Sequence, residues 1–235
     1  MKTRFYERTA YQLSEQPIPN CFLKLDDYFD ERLPIVQGYH PHPSVVLAES
    51  LCARFADVEM YAFLIEDARK RHGLEQGNDV KAAVLTRSFF VGYLGSARAF
   101  LDVAAVTLST LYELPVTANE RTFAHGNFWH QLVTAVPNVH RRYHTMRLFF
   151  NEVLRWCNET PYRVPPLYLS HEQFGPYSSR EMHLRMLDEA PFDLTHIPAD
   201  PIALKWVDPL HLHDRWKPQF LILCEKVCQD IAQRT

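Results

Sequence analysis

The stretch KAAVLTRSFFVGYLGSARAFLDVAAVTLSTLYEL, residues 81–114, decides the fold. It contains no proline, and only Lys81, Arg87, Arg98, Asp102 and Glu113 carry charge. Such a run reads as a long helix buried on most of its circumference, the axis of a helical bundle. Its small residues Gly92, Gly95, Ser96, Ala97 and Ala99 would cost stability on an exposed helix, so they argue for close helix–helix packing. The run does not read as a membrane span. Ten uncharged residues separate Arg87 from Arg98 and another ten separate Asp102 from Glu113, whereas a span needs about 20 in a row.

Upstream, Ser44 is the expected N-cap of a preceding helix. Its apolar positions Leu47, Leu51, Phe55, Val58, Ala62 and Ile65 recur at spacings of three and four. Glu66 with Lys70, and Asp67 with Arg71, are the ion pairs of its wet side, and Gly73 closes it. Residues 1–43 carry Pro17, Pro19, Pro34, Pro41 and Pro43 and are expected to be irregular or extended. Downstream, Pro115 stops the long helix. Helices are expected over 119–133, 139–157 and, more briefly, 179–189, within a proline-rich segment (161–201) where Leu167-Tyr168-Leu169 reads as edge β-structure. Asp208 followed by Pro209 at the first helical position opens a last helix to about residue 233. The expectation is a mainly α protein: an irregular segment at 1–43, then a helical bundle domain at 44–235 with a small irregular or β insert.

Composition bounds the chemistry. Of 235 residues, 47% are hydrophobic and 23% charged, as in a soluble globular domain. Glycine is scarce, at 7 residues, and GxGxxG, Walker A and GxSxG sequences are absent, which disfavours dinucleotide redox chemistry, P-loop hydrolysis and acyl transfer. The formal charge of −3 provides no global attraction for nucleic acid, yet Arg141, Arg142, Arg147 and Arg155 concentrate in one short span. Five cysteines, without a CxxC and behind a charged rather than signal-like start, point to a reducing cytoplasm. Cys224 and Cys228, one helical turn apart, read as small buried side chains.

Twelve histidines raise the question of metal. His140 and His144 have the i,i+4 spacing that can place two imidazoles on one cation, but no glutamate lies between them as HExxH requires. His40 with His42, and His211 with His213, lack a carboxylate at a diagnostic spacing. No metal site and no cofactor are expected; a metal-binding helical protein using His140 and His144 remains an alternative.

The segment from Trp156 through Asn158, Glu159, Pro161 and Arg163 to His171, together with the helix bearing Ser96, Arg98, Phe100 and Asp102 and a final helix opening near Arg215 and Trp216, resembles the HEPN superfamily of nucleotide-binding helical domains. The resemblance spans roughly residues 44–233. It implies a bundle of four or five helices, often a homodimer. In active members an arginine and a histidine separated by four to six residues cleave RNA at the dimer cleft, the arginine stabilising phosphate charge and the histidine moving the proton. The matching candidates here are Arg163 and His171, with seven residues between them, two of them Pro165 and Pro166. That longer, stiffened spacing makes a non-catalytic protein the expectation, acting through self-association or a protein or RNA partner. A metal-independent RNA endonuclease using Arg163 and His171 is the alternative. Arg98 and Asp102 are candidates for a polar cleft, and Arg141 and Arg142 for an RNA-facing surface.

Overall fold

The structure, a computed structural model, describes Tyr11 and residues 13–33, 42–72, 79–159, 184–185 and 206–235. These residues are mainly helical. Among the described residues seven helices follow one another: α1 (Asn20–Arg32), α2 (Pro43–His72), α3 (Asp79–Leu111), α4 (Gly126–Ala135), α5 (Pro137–His144), α6 (Arg147–Glu159) and α7 (Pro209–Arg234). Leu184–Arg185 and Trp206–Val207 form an antiparallel pair of two-residue strands, β1 and β2. A helix over 179–189 is therefore corrected at its centre, and the Leu167–Leu169 strand lies outside the described residues.

Helix α1 corrects the expectation of an irregular segment at 1–43. Its prolines bracket the helix rather than interrupt it. Pro19 occupies the N-cap position, and the chain turns extended at Leu33, directly before Pro34. Phe22, Leu25 and Phe29 supply its buried stripe. The 139–157 helix is likewise two helices, α5 and α6, separated at Thr145 and Met146. The expected 119–133 helix is a short 3-10 turn at Ala118–Glu120 followed by α4. The end of α3 is set before Pro115. Glu113 adopts φ 50°, and Leu114 N–H reaches back to the Ser109 carbonyl, a left-handed stop that is usually glycine's.

Helix α3 runs alongside α2 for most of its length and also packs against α6 and α7. By length and composition alone its Val84–Leu111 portion could cross a membrane. In the fold, Phe90, Leu94, Phe100, Leu101 and Leu108 of that portion belong to the protein core. Two of its buried hydroxyls close on their own helix: Thr107 donates to the Val103 carbonyl at 2.8 Å and Ser109 to that of Ala105 at 2.7 Å. At Gly92 a Cβ would run into the Tyr61 ring of α2, so this glycine admits an aromatic ring rather than a backbone. The ion pairs read on α2 are present, Lys70–Glu66 at 2.7 Å and Arg71–Asp67 at 2.8 Å.

Three helices meet in aromatic contact. Phe100 of α3 lies 5.8 Å from Phe55 of α2 and edge-on to Phe220 of α7 at 5.3 Å, ring centre to ring centre. Tyr93 stacks on Trp216 at 6.1 Å, and Phe90 meets Trp156 at 5.9 Å. Replacing Phe100 with alanine therefore removes one ring from the packing of three helices. The expected cost is about 3–5 kcal/mol in urea unfolding; a loss below about 0.5 kcal/mol would place the core elsewhere.

Candidate functional site

The side chains singled out by sequence fall into separate places. Arg163 and His171 lie outside the described residues. Arg98 and Asp102 form an ion pair one turn apart on α3, Nε to Oδ2 2.9 Å, and Thr122 donates to the other Asp102 oxygen at 2.7 Å. The pair thereby anchors the connection between α3 and α4. Behind it, Cys157 donates to the Leu94 carbonyl at 3.1 Å, and burial pushes its thiol up to about 12.

The basic span is divided by α5. Arg142 and Tyr143 turn inward to the carboxylate of Asp230 on α7, while His140, Arg141 and His144 occupy the opposite side. His140 and His144 lie 5.1 Å apart, ring centre to ring centre, and both stand nearly perpendicular to the Trp129 indole, at 5.9 and 6.4 Å. The Arg147 guanidinium sits over the same indole at 5.9 Å. Trp129 itself is held by its ring N–H, which donates to the Phe123 carbonyl at 2.8 Å. Desolvation, then the neighbouring His144 and Arg147, hold the His140 imidazole below its ordinary pKa. Among the described residues, Asp230 is engaged by Arg142 and Glu152 by Arg215. Two imidazoles, two arginines and the exposed Leu148 thus make one outward face on α5 and α6. Among the described residues no three His, Cys, Asp or Glu side chains are arranged to hold a metal. What this face offers is cation and ring chemistry toward an anion.

A second constellation is buried, and sequence reasoning missed it. Glu59, on the apolar stripe of α2, is only 2% exposed. Lys217 of α7 donates to its Oε2 at 2.6 Å and to Gln16 at 2.9 Å. His213, one turn before Lys217, places Nε2 3.6 Å from Glu59 Oε1 and Nδ1 3.3 Å from the Tyr93 hydroxyl. Burial raises the Glu59 carboxyl pKa against the pull of Lys217. Burial, then Lys217, lowers the His213 imidazole to about 4. His213 is therefore neutral near pH 7, and its approach to Glu59 is too long for a hydrogen bond and is no ion pair. Glu59 and His213 are buried between α2, α3 and α7 while Lys217 reaches in from the surface, and the contacts help fix how those helices face one another. The legible signal was one glutamate placed between Phe55 and Ala62 on an otherwise apolar stripe.

Comparison with protein-family models, with curated proteins and with solved structures finds no match for this chain.

The buried imidazole makes stability depend on pH. The unfolded chain protonates His213 near pH 6.5 and the folded chain only near 4, so its contribution is complete above about 6.5 and lost as pH falls to 4. The raised Glu59 works in the opposite direction and offsets part of this. Between pH 7 and pH 5 the wild type should lose up to about 2 kcal/mol through His213. In His213→Gln that part of the loss should disappear from the urea midpoints. An equal drop in both proteins would show that His213 is not the titrating group.

Proposed function

We propose that this chain is a HEPN-like, non-catalytic helical protein of the cytoplasm that binds single-stranded RNA through the outward face of α5 and α6. In this reading α3 is the axis of the bundle and β1 and β2 belong to a small insert between α6 and α7. The observation that carries it is the cluster at Trp129: Arg147 over the indole, His140 and His144 edge-on to it, and Arg141 alongside on α5. Phosphates are attracted by Arg141 and Arg147, which pair with no carboxylate among the described residues, and bases stack on imidazole and guanidinium planes without sequence preference. Because the net charge is −3, the attraction is local rather than global.

Self-association is part of the same proposal. The mid-chain aromatics that a second copy could have covered, Phe123, Phe128, Trp129, Phe149, Phe150 and Trp156, are all spent inside the protomer. The support comes instead from α3, where Val84 and Val91, two turns apart, are exposed and no neighbouring atom faces Gly95. A homodimer across this stripe would bury it.

A labelled oligouridylate followed by fluorescence anisotropy tests the RNA reading. Arg141→Ala with Arg147→Ala should weaken binding at least about tenfold and shallow the salt dependence, by about 0.7 in log–log slope for each phosphate left without its arginine. Arg54→Ala on α2, whose partner is Asp57, should change nothing. Binding should also strengthen as pH falls below the ordinary imidazole range, because protonating His140 adds charge that burial and its neighbours otherwise suppress. The RNA should remain intact throughout. No binding at low salt, or binding indifferent to both arginines, would defeat the proposal; cleavage abolished by His171→Ala would replace it with the nuclease alternative.

A further inference from the structure

Three of the five cysteines meet where α1 packs against α7. Cys21 stands in the first turn of α1 and is half-buried. Cys224 and Cys228, one turn apart on α7, are buried. Both of these thiols lie close enough to Cys21 to stabilise its ionised form, as does the backbone at the start of α1. These neighbours outweigh the effect of burial and hold the Cys21 thiol below its usual range, whereas Cys224 and Cys228 are pushed well above theirs. Cys21 is thus the most acidic thiol of the three.

A cavity of about 510 Å³ opens beside them, lined by Cys21 and Cys228 together with Lys24, Tyr28, Glu225 and Gln229. Cys224 is not in its wall; it lies behind, fully buried. Cys21, half-buried, and Cys228, buried, thus share one wall of the cavity. Lys24 and Glu225 present one charge of each sign on the same wall, which suits a zwitterionic peptide. With no metal-holding arrangement among the described residues, thiol exchange is the chemistry that three clustered sulfurs offer.

We propose that Cys21 and Cys228 form a dithiol–disulfide site that reacts with a low-molecular-weight peptide disulfide of the glutathione kind admitted by this cavity. The Cys21 thiolate attacks one sulfur of the external disulfide; that S–S bond breaks, one thiolate leaves, and a mixed disulfide forms on Cys21. Cys228 passes its proton to a departing sulfur, attacks the Cys21 sulfur and expels the second half as a thiol. Two protein sulfurs are oxidised to one Cys21–Cys228 bridge, and one external disulfide is reduced to two thiols. The bridge ties α1 to α7, and a reducing thiol pool reverses it.

The test uses the reduced full chain and oxidised glutathione at pH 7, with peptide mass mapping. Wild type should yield a Cys21–Cys228 bridged peptide, Cys228→Ser should stop at a glutathione adduct on Cys21, and Cys157→Ser should behave as wild type. Unmodified wild-type Cys21, or a bridge from Cys21 to Cys224, would overturn the proposal. A second measurement needs no variant. Alkylation of wild-type Cys21 by iodoacetamide should slow far less between pH 8 and pH 6 than the roughly 80-fold of an ordinary thiol with a pKa near 8.5. A slowing of the ordinary size would equally refute it.

Discussion

Asp230 is a fully buried carboxylate, and the arrangement of the second half of the molecule depends on its being satisfied. A lone charge there would cost several kcal/mol, so its acceptor sites must be filled by donors brought from elsewhere in the chain. Tyr143 donates at 2.5 Å and Tyr112 at 2.9 Å, and Arg142 supplies the compensating charge. These donors come from α5 and from the turn that ends α3. Arg234, one turn beyond Asp230, covers the Tyr112 ring at 4.7 Å. One anion thereby joins α7 to both. It also fixes the rotation of α5: with Arg142 and Tyr143 turned inward, His140, Arg141 and His144 have only the outer side left.

The same physics recurs at the other end of α7 with a different result. Asp208 caps the helix through the Leu210 N–H at 2.7 Å and accepts from Arg69 of α2 at 2.8 Å. Further along, Lys217 answers Glu59 of the same helix. Breaking any of these pairs would leave a charge unpartnered in the interior, which is worse than never having had one. Aromatic packing of Phe55, Phe100 and Phe220 supplies attraction without direction, while the buried carboxylates admit few alternative registers. Packing holds the helices together, and these polar contacts decide how they are turned.

Much of this was legible in the residues. The α2 and α3 runs declare themselves by apolar spacing, and the Asp208-Pro209 start of α7 declares itself by capping chemistry. Helix α1 was hidden because Pro19 and Pro34, which delimit it, resemble breakers when no partner is in view. The break between α5 and α6 carries neither proline nor glycine. Its cause is tertiary: Lys226 of α7 donates to the Arg142 carbonyl at 2.6 Å, capping α5 from a position 84 residues away in sequence. Arg141 and Arg142 looked equivalent in the sequence and face opposite ways, because only contact with Asp230 distinguishes them. The meeting of Cys21 with Cys224 and Cys228 was illegible for the same reason, since no local spacing connects α1 to α7.

The most direct measurement is the stability of Asp230→Ala in urea. Removing the carboxylate leaves the Tyr143 and Tyr112 hydroxyls without their acceptor and Arg142 without its counter-charge, and the expected loss is about 3–5 kcal/mol. A change below about 0.5 kcal/mol would mean that α5 is oriented by packing alone and that Asp230 does not set the outward face.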